Sequence, residues 1–154
     1  MKTINFNSEI GVNKEYDSEK NGQITKSIEN IGKLFQELQL EVQKETGIYV
    51  STVVKGPNRT VYNTEWGCPA GGEITYNISS VANPEFTPNE DEWKKASLLL
   101  MHKARTALEQ STVSVEFNGS DGPDFYYLNS DNAYDNAIKE INEQTNKFDF
   151  LNKQ

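Results

Sequence analysis

A single histidine, His102, and a single cysteine, Cys68, are the side chains of this 154-residue chain best suited to proton transfer, nucleophilic attack or metal ligation. Most nucleophile–base pairs and zinc sites draw on those two types, so few ordinary catalytic assemblies can be built here. His102 falls between Met101 and Lys103, about 180° from the apolar stripe of its helix. As a general base it would work with Glu109 on the same face; with no nucleophile placed beside it, it reads as a surface or interface histidine. Cys68 stands in a loop between two strands. Glu65 and Glu73 lie on either side of it and no cation is close in sequence, which raises a thiol's pKa and quiets it.

The run Gly67-Cys68-Pro69-Ala70-Gly71-Gly72 is glycine-rich but is no phosphate loop. That motif ends in Gly-Lys-Ser/Thr and opens a helix, whereas this run lacks lysine and precedes a strand. Its backbone N–H groups can still approach a small ligand closely. Arg59 and Arg105 are the only arginines, and Arg105 suits a ligand carboxylate or phosphate. Cys68, Gly71, Gly72 and Arg105 therefore define a small-ligand alternative, placed at a dimer interface. Asn118, Ser120, Asp121 and Asp124, then Asp131 and Asp135, gather oxygen ligands, but neither stretch has the spacing of a calcium loop. Turn and cap chemistry explains both clusters; no metal and no cofactor are expected.

Hydrophobic periodicity gives the elements that must position these groups. Ile4, Phe6, Ile10 and Val12 sit at even positions, as one strand face would, so residues 1–21 read as an N-terminal strand at 3–12 or a flexible arm, with a linker through Glu15, Asp17 and Asn21. Residues 22–154 read as a single domain. Ile24, Ile28, Ile31, Phe35, Leu38 and Val42 predict a helix over 23–45, closed by Gly47. The period then switches to two. A hairpin is expected from 48–54 and 60–66 around Lys55-Gly56-Pro57-Asn58, followed by a strand at 73–81. Thr87-Pro88-Asn89-Glu90 announces a second helix capped by Thr87. Strands at 112–117 and 124–128 and a last helix capped by Ser130 or Asn129 complete the order (β)αβββαββα, with Phe148, Phe150 and Leu151 tacking the C-terminus down. The fold class is α+β: a mainly antiparallel sheet of five or six strands with three helices largely on one face. Leu98, Leu99 and Met101 exceed what one sheet face needs and point to a packing partner, either the first helix or a second copy in a homodimer.

Charge narrows the partners. With 15 basic and 23 acidic residues the net charge is −8. Such a surface repels nucleic-acid phosphate and anionic lipid and attracts basic proteins. No apolar run approaches membrane-spanning length, the N-terminal residues carry no signal-peptide core, and a lone cysteine forms no internal disulfide, so the cytoplasm is expected. If Tyr62, Trp66, Ile74, Tyr76 and Ile78 face the helices, Asn63, Glu65, Thr75, Asn77, Ser114 and Glu116 line an open sheet face of the kind that binds a partner.

The expected function is a non-enzymatic cytoplasmic binding protein that inhibits or sequesters a basic protein. Its kind is that of bacterial immunity proteins and phage-encoded inhibitors, an analogy of size, fold and charge alone. The expected contacts are Glu65, Trp66, Asn77, Glu116, Asp121, Asp124 and Tyr126. A small-molecule or nucleotide sponge is the alternative. An enzyme using carboxylates or His102 comes third.

Overall fold

Residues 2–13, 27–87 and 89–152 are described by a computed structural model of the chain. The elements run β1 (Asn5–Gly11), α1 (Ile28–Thr46), β2 (Val53–Thr60), a 3₁₀ turn (Thr64–Trp66), β3 (Glu73–Val81), α2 (Glu90–Ala107), β4 (Val113–Gly119), β5 (Gly122–Leu128) and α3 (Asp131–Asn152). The five strands form one antiparallel sheet in the order β2-β3-β1-β4-β5, with the three helices as its second layer. This is the expected α+β architecture.

The N-terminal strand is the centre of the sheet. Its alternation explains why: Ile4, Phe6, Ile10 and Val12 are buried on the helix side, while Asn5, Asn7 and Glu9 project from the other. β3 keeps the same rule, burying Ile74, Tyr76 and Ile78 under the helices and turning Glu73, Thr75 and Asn77 to the open face. The expected linker through Glu15, Asp17 and Asn21, and the start of the first predicted helix, lie outside the described residues.

Caps fix the helix ends. The Ser27 hydroxyl accepts from the Asn30 N–H at 3.2 Å, and Gly47, at φ 78°, closes α1 through its N–H to the Gln43 carbonyl. Asn89 rather than Thr87 caps α2, its side chain accepting from the Glu92 N–H. Pro88 lies outside the described residues. Ser130 accepts from the Ala133 N–H at the start of α3, as expected.

Three local expectations are corrected. The 48–66 stretch is not a hairpin. One strand, β2, runs through Gly56 and Pro57 with a register shift between Lys55 and Asn58, and pairs with β3. Turn chemistry at Gly-Pro made it look like a reversal, but β3 supplies the partner that lets the strand continue. Second, Leu98 and Met101 are completely buried within this chain and Leu99 packs against the same core, so they leave no dimer face. α2 is the middle helix, packed on α1, α3 and the sheet, and needs apolar side chains on three sides. Third, Phe150 and Leu151 are exposed at the end of α3 and tack nothing down, and the Phe148 side chain lies outside what is described.

Beneath α2, Phe6, Trp93, Phe117 and Tyr126 form a tilted and edge-on aromatic cluster, with ring centroids 5.8 Å apart for Phe6–Trp93 and 6.0 Å for Phe117–Tyr126. Lys94 is buried at its edge, its ammonium 2.5 Å from Asp124 Oδ2 and over the Tyr126 and Phe117 rings. Burial pulls the Lys94 pKa down, but the Asp124 hydrogen bond and the Tyr126 hydroxyl outweigh it and hold the ammonium charged. Among the described residues no helix is long and apolar enough to cross a membrane.

Candidate functional site

β1 leaves the sheet at Gly11, beside the point where β2 ends at Thr60 and β3 begins at Glu73. The Gly67–Gly72 loop feeds into β3 at this same end, and the segment after α2 arrives there at Gln110. Two buried or half-buried acids stand on the open face here, and their surroundings differ.

Glu9 is satisfied. Its Oε2 accepts from the Thr75 hydroxyl at 2.8 Å and its Oε1 from the Asn58 amide at 3.4 Å. Thr75 in turn shares a 2.9 Å hydrogen bond with Thr60. Asn7 and Asn77 pair at 2.9 Å further along the same face. This lattice spans β1, β2 and β3 because odd-numbered residues of β1 and β3 all point to one side.

Glu73 is not satisfied. Among the described residues nothing donates to its carboxylate, and burial holds its pKa above the usual carboxylate value. Its Oε2 lies 3.3 Å from the point a Cβ on Gly11 would occupy, and the Gln110 amide oxygen crowds the same point. Gly11 therefore makes room for both side chains. Gly72, at φ 91°, is required for a second reason: a Cβ there would lie 2.8 Å from the Thr60 carbonyl oxygen. A half-desolvated carboxylate without a donor favours a cation or an N–H donor brought from outside.

The loop residues of the small-ligand alternative fall beside this acid, though not in the roles expected. Cys68 is buried; its sulfur accepts from the Tyr62 N–H at 3.4 Å and donates to the Pro69 carbonyl, so it pins the loop. Gly71 and Gly72 shape the turn into β3. Arg105 sits on the helix side, held by Asp131 at 3.6 Å and by the carbonyls of Gln110 and Ser111 at 3.3 and 3.5 Å. It fixes the segment that carries Gln110 and does not face the Glu73 carboxylate.

His102 takes Asp131 as its acid at 3.2 Å, in place of Glu109, and stacks on Tyr134 with centroids 4.4 Å apart. Burial, then the Arg105 charge, lowers its pKa. This cluster joins α2 to α3 and contains no nucleophile.

The residues expected to bind a partner do not share one surface. Tyr126 is buried under the helices and Asp124 is bound to Lys94, because even positions of β5 face the core. Glu65 and Trp66 lie in the 3₁₀ turn rather than on a strand, with Trp66 75% exposed. Asn77 and Glu116 are on the open face, and Asp121 is at the β4–β5 turn. Glu73 was missed as a candidate. Its signal was parity: it shares a strand face with Thr75 and Asn77 and follows two turn-forming glycines.

At the opposite end of β2, α1 and residues 49–54 enclose a groove of about 560 Å³. On its floor Gln39 donates to Thr52 at 2.8 Å and accepts from the Tyr49 hydroxyl at 3.0 Å, and Glu29, Lys33 and Gln36 complete its polar wall. Its acid, Glu29, is exposed to water, whereas Glu73 is half buried without a donor among the described residues, which leaves Glu73 the stronger candidate.

A family model described as SAM lyase matches residues 1–129 of the chain. No curated protein matches. Two solved structures share the fold. A phage SAM lyase in complex with S-methyl-5'-thioadenosine superposes with a TM-score of 0.55 at 19% identity, over 83% of this chain and 90% of that one. A phage SAM lyase in the apo state gives 0.55 at 16% identity, over 84% and 91%. These matches overturn the expectation of a non-enzymatic inhibitor or immunity protein acting on a basic protein partner, and with it the non-enzymatic alternative of a small-molecule sponge. Acidity and few histidines are equally compatible with an enzyme whose substrate is a small cation, a class the charge argument passed over.

Proposed function

The chain belongs to the SAM lyase family, and we propose that it degrades S-adenosylmethionine (SAM) at the Glu73 end of its open sheet face. One observation carries the placement. Glu73 is a half-buried carboxylate with no donor among the described residues, and SAM brings two cations, a sulfonium and an α-ammonium. Glu9, already saturated by Thr75 and Asn58, adds negative potential behind it. Trp66, in the loop that leads to β3, offers an exposed aromatic face to the adenine.

A lyase breaks a bond without adding water. The solved relative holds S-methyl-5'-thioadenosine, the thioether left when SAM loses its four-carbon amino-acid chain. The reaction that asks least of these residues is internal displacement. A carboxylate oxygen of SAM attacks its own γ-carbon, the C–S electron pair passes to sulfur, and a five-membered lactone departs with its ammonium intact. Charge balances, since sulfonium and carboxylate are consumed together, and no proton moves. Such a step requires no histidine, cysteine or metal; holding the chain folded with nucleophile and leaving group in line supplies the acceleration. The scarcity of histidine and cysteine then ceases to argue against catalysis. The cytoplasm, where SAM is made and consumed, is the compartment this reading implies.

The test is product analysis in H₂¹⁸O, with SAM and the purified protein quenched early. Unlabelled lactone beside the thioether is the expected outcome. Homoserine carrying ¹⁸O on its γ-hydroxyl would mean attack by water, and absence of any thioether would end the proposal.

A further inference from the structure

Gln110 has both amide hydrogens committed. Nε2 donates to the Asn13 carbonyl at 2.9 Å and to the Leu108 carbonyl at 3.0 Å. An amide so held presents only its oxygen to what lies beyond it. That oxygen crowds the space above Gly11, the same space that Glu73 Oε2 borders at 3.3 Å. The arrangement is built from several sides. Glu109 takes a left-handed φ of 54°, turning the chain at the end of α2, and Arg105 holds the Gln110 and Ser111 carbonyls from below. Gly11 supplies the vacancy in β1. Two acceptors thus meet over Gly11 with no donor between them among the described residues, an arrangement that costs free energy until a donor arrives.

We propose that Gln110 Oε1 and the Glu73 carboxylate together form the receptor for the α-ammonium of the substrate, making Gln110 a residue that determines specificity. The inference rests on the reading of the chain as a SAM-degrading enzyme. A sulfonium has no N–H to donate, so paired acceptors distinguish the two cations of SAM. The reaction itself favours the same assignment. The sulfonium charge vanishes as the C–S bond breaks, so a close acceptor pair there would hold the ground state and slow the step. The ammonium stays charged throughout, and acceptors on it bind substrate and transition state alike.

The experiment compares SAM with its desamino analogue, in which hydrogen replaces the α-amino group, in wild type, Gln110→Met and Gly11→Ala. In wild type the analogue has the higher KM. In Gln110→Met, KM for SAM rises about tenfold with kcat within about twofold, the pattern of uniform binding lost, and the preference for SAM over the analogue collapses. Gly11→Ala, which displaces the Gln110 oxygen without changing its chemistry, reproduces the collapse and keeps the question open to measurement if Gln110→Met fails to fold. Equal KM changes for both substrates would overturn the assignment, because a merely structural defect does not discriminate between them. A wild-type protein that releases thioether from neither substrate would overturn the functional reading as well as this one.

Discussion

Glu73→Gln should weaken the enzyme while strengthening the fold. The substitution keeps the shape of the side chain and removes its charge. Two unit charges about 4 Å apart attract by about 1 kcal/mol in water and about 4 kcal/mol at an effective dielectric of 20. Glu73 is half buried, so a bound substrate cation is worth roughly 2 kcal/mol, and kcat/KM should fall about 30-fold. Stability moves the other way. The carboxyl pKa is raised in the folded protein from the ordinary value of 4.5, so the protonated form favours the fold. That contribution is fully present below the unfolded value and is lost as pH rises through the folded one. A neutral glutamine does not lose it. The melting temperature of Glu73→Gln should therefore exceed that of wild type at pH 7, and the difference should close as pH falls below about 4.5. Thermal melts from pH 3.5 to 8 beside thioether-release assays give both halves. A variant of full activity, or one destabilised equally at every pH, would refute the assignment of Glu73 as an unpaired substrate-facing acid.

Further outcomes follow from the same geometry. Gly72→Ala imposes a side chain at φ 91° and against the Thr60 carbonyl, and should cost about 2 kcal/mol by chemical denaturation together with most activity, since the turn sets Glu73. Lys94→Ala breaks a pair buried on one side and should cost about 2–4 kcal/mol, less than a fully buried pair because Asp124 reaches water; Lys94→Met should recover most of it. His102→Ala should leave thioether release within about twofold of wild type, because His102 serves the α2–α3 junction with Asp131 and Tyr134. Since burial and Arg105 lower the His102 pKa, against the attraction of Asp131 and Asp135, its protonation opposes folding. The stability of wild type relative to His102→Ala should accordingly fall as pH drops below the ordinary value of 6.5.

Much of the architecture was legible because burial leaves a period. The odd–even alternation of β1 and β3, the α1 stripe ending at Gly47 and the cap at Ser130 each follow from local rules that tertiary packing did not override. The 48–66 stretch was misread because Gly56-Pro57 carries a turn signal, while the partner that keeps β2 extended lies some 20 residues on, in β3. The excess of apolar residues in α2 was visible, but a middle helix and a dimer face leave the same trace in sequence. The site was the least legible part. Charge directed attention to acids as partners for basic proteins, and the types that usually mark catalysis were scarce. What singles out Glu73 among the described acids is its half burial, which raises its pKa, and the meeting of Gly11, Gln110 and Thr60 around it, relations between strands and loops far apart in the chain.

The most direct test of the central claim is a crystal structure of the protein with S-methyl-5'-thioadenosine. The thioether should lie on the open sheet face at the Glu73 end, with Gln110 and the Gly67–Gly72 loop within reach of the ligand. A nucleoside seated in the groove between α1 and residues 49–54, with the Glu73 end empty, would contradict it.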